Sequence, residues 1–382
     1  MPTPRYLILF LVTLGCGVIR AAAPATQGAE LIARFDQLVA DQTQAAIRAP
    51  AGNDQGNLAW GESYLLHALA EMLEATRDPK YADLFVRLAD WAIAGRDDRH
   101  GRRDEYRHGV LKAWSSTKYT EGKRYVWAVH TGMIAAPMAQ FASVIRRDPG
   151  LRVRFGAAAD RILAAAQEAV AEHDEQYRAG PGPDEGYLLG LSLNRNLPLN
   201  MQNALARAWI YIDDATGTDS RRKQTAALAR FFRNRIRDTD DGAYAWAYWA
   251  DLDGPGRGFE DISHAAINVD FAVLCHERGI VFAADDVRRL EKTLLHKVGL
   301  ATGQIAGTVG GTGTGTSYAG AILRWGRLAA YNPRIRDRLI AVGLAPDAQA
   351  ANPSSVPLGI AYLVRAGARA NPPAPTATGP SH

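Results

Sequence analysis

Cysteine is scarce in this chain, which has two among 382 residues. Cys16 lies in an amino-terminal apolar stretch, and Cys275 follows the apolar run 271–274. If the amino-terminal stretch is removed as a leader, Cys275 has no partner for an intramolecular disulfide. We therefore predict that Cys275 is a buried small side chain.

Motifs for metals, nucleophiles and phosphates are also missing. The sequence has no HExxH or HxxxH motif and no pair of neighbouring cysteines, so it predicts no metal site. It contains no GxSxG motif for a serine nucleophile. The glycine-rich stretch 307–318 is not followed by the Lys of a P-loop, so we expect a loop that lets the backbone approach a substrate. No cofactor is predicted.

No block of basic residues occurs, although the net charge is +4. Nucleic acid is therefore not an expected partner. Residues 1–23 contain Arg5, an apolar stretch from Tyr6 to Val18 and small residues before Pro24, which predicts a secretory signal peptide and a periplasmic or secreted protein. No later apolar run is long enough to span a bilayer, so no membrane association is expected after signal cleavage. The oligomeric state is left open.

What the sequence does contain is helical periodicity. Apolar helices are expected to begin at six positions: near Trp60, Tyr125, Leu199, Ser263, Tyr318 and Val356. Amphipathic stretches between them suit an outer layer. The pattern predicts an all-α fold, an (α/α)6 toroid of helical hairpins with long funnel-side loops and a short β-hairpin. Residues 24–369 are expected to form one catalytic domain, and 370–382 a disordered tail rich in Pro and Ala.

A polar residue recurs near the start of successive inner helices: Glu62, His130, Asn203, His264 and Tyr318. Their spacing fits one helical hairpin with its loops each time. In a ring of hairpins these starts converge on one funnel, where the positive ends of helix dipoles favour an anionic ligand. This arrangement predicts an enzyme whose partner is an anionic polysaccharide.

Residues that suit sugar binding accompany these helix starts. Aromatic rings stack on sugar faces, while Arg and amide donors hold carboxylates and hydroxyls. The substrate-binding candidates are Trp60, Glu62, Asn200, Gln202, Tyr244, Trp246 and Glu260. Tyr244, Trp246 and Tyr248 alternate with other residues and suit the core of a strand equally well. Asp261 and Ser263 are expected to be helix caps.

Three segments resemble a known enzyme family: Trp60-Gly61-Glu62-Ser63-Tyr64-Leu65, the connection from Ala75 to Tyr81, and Glu260-Asp261-Ile262-Ser263-His264. They are similar to α/α-toroid polysaccharide lyases, closest to polysaccharide lyase family 38, which includes alginate and glucuronan lyases. The resemblance spans about Trp60 to Tyr331. It implies β-elimination on a 4-linked polyuronate, glucuronan or alginate, by a Tyr and a His with groups that neutralise the carboxylate.

On this resemblance Tyr318 is the first candidate for the catalytic acid and base and Tyr248 is the second. His264 assists, or serves as the base if the substrate requires anti elimination. The groups expected to neutralise the carboxylate are His130, Asn203 and Arg257. Two alternatives stay open. One is a glycoside hydrolase acting on uronic-acid oligosaccharides with Glu62 and either Glu260 or Asp261. The other is a sugar-binding protein without turnover, because a fold does not by itself determine a function.

Overall fold

The computed structural model describes residues 24–48, 52–313 and 319–370. Six inner helices are α2 (Ser63–Thr76), α4 (Ala128–Arg147), α6 (Leu199–Thr216), α8 (Ile262–Glu277), α10 (Ala319–Ala330, wound as a 3₁₀ helix) and α12 (Val356–Ala370). Six outer helices are α1 (Pro24–Arg48), α3 (Pro79–Ala94), α5 (Pro149–Ala171), α7 (Arg222–Arg233), α9 (Ala284–Lys292) and α11 (Pro333–Arg338). Tyr318, the predicted leader and all but the first residue of the predicted tail lie outside the described residues.

The inner helices close a ring. Each packs on the next in chain order, from α2 on α4 through to α10 on α12, and α12 packs back on α2. Because an outer helix returns the chain between successive inner helices, the amino ends of all six inner helices lie at one end of the ring. This architecture confirms the predicted (α/α)6 toroid.

Inner and outer helices differ in the way their sequences stabilise them. Helix α4 is buried from Ala128 to Ile145, and Gly132 allows it to approach α6 closely. By length and composition α4 is apolar enough to cross a membrane, but its neighbours in the ring bury its whole apolar stretch, as is typical of a core helix. Outer helices α3 and α5 begin with an Asp cap followed by Pro, at Asp78 and Asp148.

Short helical turns extend or precede several helices: Leu58–Glu62 before α2, Thr293–Lys297 after α9, Leu339–Gly343 after α11, and the turns Asp97–Arg99, Asp174–Gln176, Pro346–Ala351 and Pro353–Ser355. The long loops that lead from outer to inner helices contain small antiparallel sheets. Strands β1 (Arg103–Asp104) and β2 (Gly109–Val110) pair in the first loop. Strands β3 (Tyr177–Ala179), β4 (Gly186–Gly190) and β5 (Arg195–Asn196) form a three-stranded sheet in the second.

The third loop holds the predicted hairpin, as β6 (Arg237–Asp238) paired with β7 (Tyr244–Ala245). These loops enter the amino ends of the inner helices, so they surround the funnel side of the ring. Cys275 is buried, as predicted.

A polar network, here called the axial network, occupies the axis of the ring. It takes one side chain from each inner helix: Glu71, Gln140, Arg207, Asp270, Arg327 and Arg365. Glu71 accepts hydrogen bonds from Gln140 at 2.8 Å and from Arg327 at 3.0 Å. Burial opposes ionisation of Glu71, yet Arg365 and Arg327 hold the pKa of its carboxyl well below the usual range. The network therefore joins five charged side chains and the neutral amide of Gln140, which depend on one another for hydrogen bonds and ion pairs.

Candidate active site

A cleft of about 240 Å³ opens at the amino ends of the inner helices. It is lined by Trp60, Tyr119, Trp127, Leu193, Pro198, Met201, Tyr248, Trp249 and His264. Five of these nine side chains are Trp or Tyr, which present flat apolar faces with a polar edge. We call this feature the aromatic cleft; its walls suit the C–H faces of sugar rings.

Helix starts position the walls of the aromatic cleft. Trp60 lies on the turn before α2, Trp127 directly precedes α4, and His264 lies in the first turn of α8. The ring of Trp60 meets that of His130 edge-on at a centroid distance of 5.7 Å, and that of His264 at 6.0 Å. The structure thus brings together Trp60, His130 and His264 from three different helix starts, the convergence expected of a ring.

Asp261 orients His264. One carboxylate oxygen of Asp261 accepts the backbone N–H groups of Ser263 and His264 at 3.0 and 3.1 Å, which caps α8. The other lies 2.6 Å from His264 Nδ1. Burial raises the pKa of Asp261, but the hydrogen bond and electrostatic attraction of the His264 side chain, together with the two backbone amides, outweigh this and lower the pKa below the usual value. The ionised carboxylate keeps the proton on Nδ1, so neutral His264 retains Nε2 as a proton acceptor.

Glu62 lies on the same helical turn as Trp60. Burial raises the pKa of its carboxyl, and Oε2 is buried with no hydrogen-bond partner among the described residues. A carboxyl that keeps its proton to higher pH suits a general acid. Glu62 and Asp261 therefore have pKa values shifted in opposite directions.

Tyr248 lines the aromatic cleft, and its ring centroid is 5.2 Å from that of His264. Burial first, and then the carboxyl of Glu260, raise the pKa of Tyr248 well above its usual value. Its phenol therefore stays protonated. A Tyr that removes a proton in β-elimination must first lose its own, and this environment disfavours that loss for Tyr248.

His130 is fully buried behind Trp60 and is neutral, because burial lowers its pKa to about 3. Asn53 fixes its tautomer: the Asn53 carbonyl oxygen accepts Ala59 N–H, so the amide nitrogen faces Trp114 O and, at 3.1 Å, His130 Nδ1. Nδ1 of His130 is then the acceptor, and Nε2 carries a proton with no partner among the described residues.

Three polar candidates form a chain behind the aromatic cleft. Asn203 donates to Asn268 at 2.7 Å, Asn268 donates to Glu260 at 2.6 Å, and Trp246 donates to the same oxygen of Glu260. Glu260 is fully buried, and burial raises the pKa of its carboxyl well above the usual range. Asn203, Glu260 and Trp246 are not among the residues that line the cleft.

Four other candidates lie in different surroundings. Gln202 is held by Leu188 N–H and Leu197 O, and Tyr244 donates to Asp286 at 2.7 Å, so both support the fold. Asn200 is fully buried, with no partner for either amide atom in the described structure. Arg257 is exposed on the loop 251–259 and does not line the cleft.

Sequence reasoning missed the aromatic residues of the loops, Tyr119, Trp127 and Trp249. The signal available was their position: Tyr119 and Trp249 lie in long outer-to-inner connections, and Trp127 directly precedes an inner helix. Arg195 stacks on Trp249 at 3.9 Å, and Lys118 lies 5.3 Å from the Tyr119 ring. In the described part of the chain, no group of three or more His, Cys, Asp or Glu side chains is placed to hold a metal ion.

The chain matches no known family model and no curated protein. It is similar to solved structures of GH76A, an α-1,6-mannanase of Salegentibacter sp. HEL1_6. An inactive variant with two successive aspartates replaced, in complex with α-1,6-mannotetrose, has a TM-score of 0.51 at 12% identity, covering 87% of this chain and 98% of that one. A second inactive variant, with α-1,6-mannotriose, has a TM-score of 0.50 at 12% identity, covering 87% and 99%. At this identity the likeness shows a shared fold.

The lyase prediction is wrong. The toroids that match are glycoside hydrolases, so assignment to polysaccharide lyase family 38 is not supported, and neither is β-elimination of alginate or glucuronan. This chain has four pairs of successive aspartates, at 97–98, 213–214, 240–241 and 285–286, and none of them lines the aromatic cleft.

Proposed function

We propose that this protein is a glycoside hydrolase that cleaves a polysaccharide in the aromatic cleft. The observation that carries the proposal is a pair of carboxyl groups next to residues of the cleft wall: Glu62 shares a helical turn with Trp60, and Asp261 is hydrogen-bonded to His264. The pKa is raised for Glu62 and lowered for Asp261. Environments that separate the pKa values of two acids assign one as proton donor and the other as a charged partner. The fold shared with glycoside hydrolases supports the same reaction class.

The chemistry follows from these positions. Glu62 gives its proton to the glycosidic oxygen as the bond from that oxygen to C1 breaks. Nε2 of His264 takes a proton from the water that attacks C1, and the Asp261 carboxylate stabilises the resulting imidazolium, as in other Asp–His pairs. The aromatic walls hold the sugar rings so that the bond lies between these groups.

We extend the proposal to an anionic polysaccharide that contains uronic acids. Lys118 and Arg195 contact the aromatic walls Tyr119 and Trp249, and neither makes an ion pair with a described acidic residue. Unpaired cations beside a cleft attract negatively charged substrates. The neighbouring mannanase structures hold neutral mannooligosaccharides, so α-1,6-mannan is the comparison substrate.

The proposal places the enzyme outside the cytoplasm. The apolar leader at 1–23 has the features of a signal peptide, and an exported hydrolase meets polysaccharides there. Residues 24–369 are proposed to act as one catalytic domain.

The reaction class is tested by incubating the purified protein with glucuronan, polymannuronate, polyguluronate and α-1,6-mannan. We expect new reducing ends on an acidic polymer without a rise in ultraviolet absorbance. Reducing ends accompanied by such a rise would reveal an unsaturated uronate and overturn hydrolysis. Binding without new reducing ends would instead favour the sugar-binding alternative.

Glu62→Gln tests the proposed acid. We expect kcat to fall by roughly 10²- to 10⁴-fold, the usual contribution of a general acid. Because Glu62 acts in its protonated form and burial raises its pKa, wild-type activity should decline as pH rises through that pKa. The residual activity of the variant should lack this decline. Glu30→Gln, an exposed change on outer helix α1, is the control; an equal loss in both variants would contradict the assignment.

A further inference from the structure

One buried arginine lacks an acidic partner. The buried arginines are Arg96, Arg207, Arg235, Arg324 and Arg327. All except Arg324 make ion pairs with Asp or Glu. Arg324 makes none within the described residues, and the segments outside them contain no Asp or Glu in their sequence. Its guanidinium stacks on the Tyr64 ring at 3.7 Å, but a buried cation without a counter-ion is still costly, and a bound anion would lower that cost.

Arg324 lies where three inner helices begin. From α10, its Nη1 donates to Tyr64 at the start of α2, at 2.8 Å, and to Ser263 at the start of α8, at 3.1 Å. Its Nη2 donates to Asn352 and Ser354, just before α12, both at 3.2 Å. The amino ends of these helices add positive potential around the guanidinium.

The surroundings of Arg324 offer donors without acceptors. The hydroxyls of Tyr64 and Ser263 accept from Arg324, so each can donate its own proton, and the described residues supply no acceptor for either. Nε of Arg324 is buried and also has no hydrogen-bond partner there. Three unused donors around one cation form a binding site for a carboxylate.

The nearest acid does not satisfy this site. The charge of Asp261 acts on Arg324, but no ion pair joins them. Both carboxylate oxygens of Asp261 are already engaged by the helix amides and by His264. Ser263 is partly exposed and directly precedes His264, which lines the aromatic cleft, so the residue that contacts Arg324 is the chain neighbour of a residue of the cleft wall.

We propose that Arg324, with the hydroxyls of Tyr64 and Ser263, binds the carboxylate of a uronic acid residue and selects acidic over neutral polysaccharides. The inference rests on the proposed function and identifies Arg324 as the group that recognises the acidic substrate. The carboxylate accepts hydrogen bonds from the three unused donors and supplies the missing counter-ion. It also fixes the sugar beside His264.

The test compares polymers that differ only in the acidic group: glucuronan and polymannuronate, each with its carboxyl-reduced form. For Arg324→Gln we expect kcat/KM on the acidic polymer to fall roughly 30-fold or more, mainly through KM, as when one partner of a buried charge pair is removed. The neutral form should change by no more than about 3-fold, because it never used the cation. Arg324→Lys should recover part of the loss, since it restores the charge without the planar fork.

The matched control is Arg235→Gln, which removes a buried arginine paired with Glu185 away from the cleft. It should lower stability but leave the preference for acidic polymers unchanged. Equal losses on acidic and neutral polymers in Arg324→Gln, or no acidic preference in the wild type, would overturn the inference. If Arg324→Gln does not fold, Ser263→Ala and Tyr64→Phe test the same donors with smaller changes.

Calorimetric binding of glucuronate and glucose separates this inference from the hydrolase proposal, because it needs no turnover. Binding of glucuronate over glucose that is lost in Arg324→Gln supports the site, even if the wild type hydrolyses neither polymer. Hydrolysis without any preference dependent on Arg324 leaves the hydrolase standing and removes the role of Arg324.

Discussion

Two buried histidines, His130 and His173, make the protein sensitive to acid. His173 contacts Thr131 through Nε2 at 2.8 Å and Gln176 through Nδ1 at 2.5 Å. Burial lowers the pKa of each histidine to about 3. In the unfolded chain the same side chains have a pKa of about 6.5. Both are therefore neutral in the folded protein at a pH where the unfolded chain binds protons.

We expect the free energy of unfolding to fall as pH drops below about 6.5, because protons then bind the unfolded chain preferentially. The folded pKa values are depressed, so the stability is fully present above about pH 6.5 and is lost progressively towards pH 3. Each histidine should contribute about 1.4 kcal/mol per pH unit in this window. Urea unfolding at several pH values measures the slope. His130→Gln should reduce the slope of the free energy of unfolding with pH by the contribution of one proton, about 1.4 kcal/mol per pH unit. A slope unchanged by the substitution would contradict the assignment.

Individual site residues differed in how well the sequence specified them. Asp261 could be predicted as a helix cap, since an Asp before an apolar run is a local signal. The different surroundings of Tyr244 and Tyr248 could not be predicted. Their alternation in the sequence places both on one face of a strand, whereas β7 ends at Ala245, before Tyr248. Arg324 gave no signal, because its lack of an acidic partner depends on which helices meet around it.

Gly132 determines how closely two inner helices approach. A Cβ at this position would lie 2.3 Å from the carbonyl carbon of Ala204 on α6, and backbone cannot move as a side chain does. We expect Gly132→Ala to lower the free energy of unfolding by roughly 1–3 kcal/mol or more through overpacking. Gly156→Ala on outer helix α5 is the matched control, since the nearest atom is Arg152 Cγ at 3.7 Å. It should stabilise the protein by up to about 1 kcal/mol. Equal effects in urea unfolding would contradict this packing.

The two caps Asp261 and Asp148 separate helix stability from catalysis. Each accepts two backbone N–H groups at the start of its helix, α8 or α5. We expect Asp261→Ala and Asp148→Ala each to cost about 1 kcal/mol of stability. Only Asp261→Ala should lose activity, because His264 then loses the partner of Nδ1. Urea unfolding and reducing-end assays on both variants measure the two effects, and comparable activities would remove Asp261 from the mechanism.

Helix positions were predictable where local chemistry determines them. Helices α6 and α12 begin at the residues expected from sequence, because Pro and apolar periodicity act within one turn. The end of α9 and the tight winding of α10 were not predicted. Both depend on packing within the ring.

At the scale of the whole molecule, the axial network joins all six inner helices through Glu71 and its partners. Removing one member of a buried ion pair leaves the remaining charges buried without a counter-ion. Glu71→Ala should therefore lower the free energy of unfolding by about 3–5 kcal/mol. Asp90→Ala is the control, since Asp90 and Arg161 form an exposed pair at 2.8 Å. Its cost should stay below about 1 kcal/mol. Urea unfolding of both variants tests the difference, and similar losses would show that the network does not stabilise the ring.

For the proposed hydrolysis of a polysaccharide, the axial network also limits how the sugar chain can move. Its buried side chains meet on the axis, so in the described structure the funnel has a floor and the ring has no second exit. A sugar chain therefore cannot pass through the ring from one end to the other. It must lie across the mouth or enter by one end and back out after each cut. The depth from mouth to floor then limits the number of sugar units that such an inserted end can place beyond the point of cleavage.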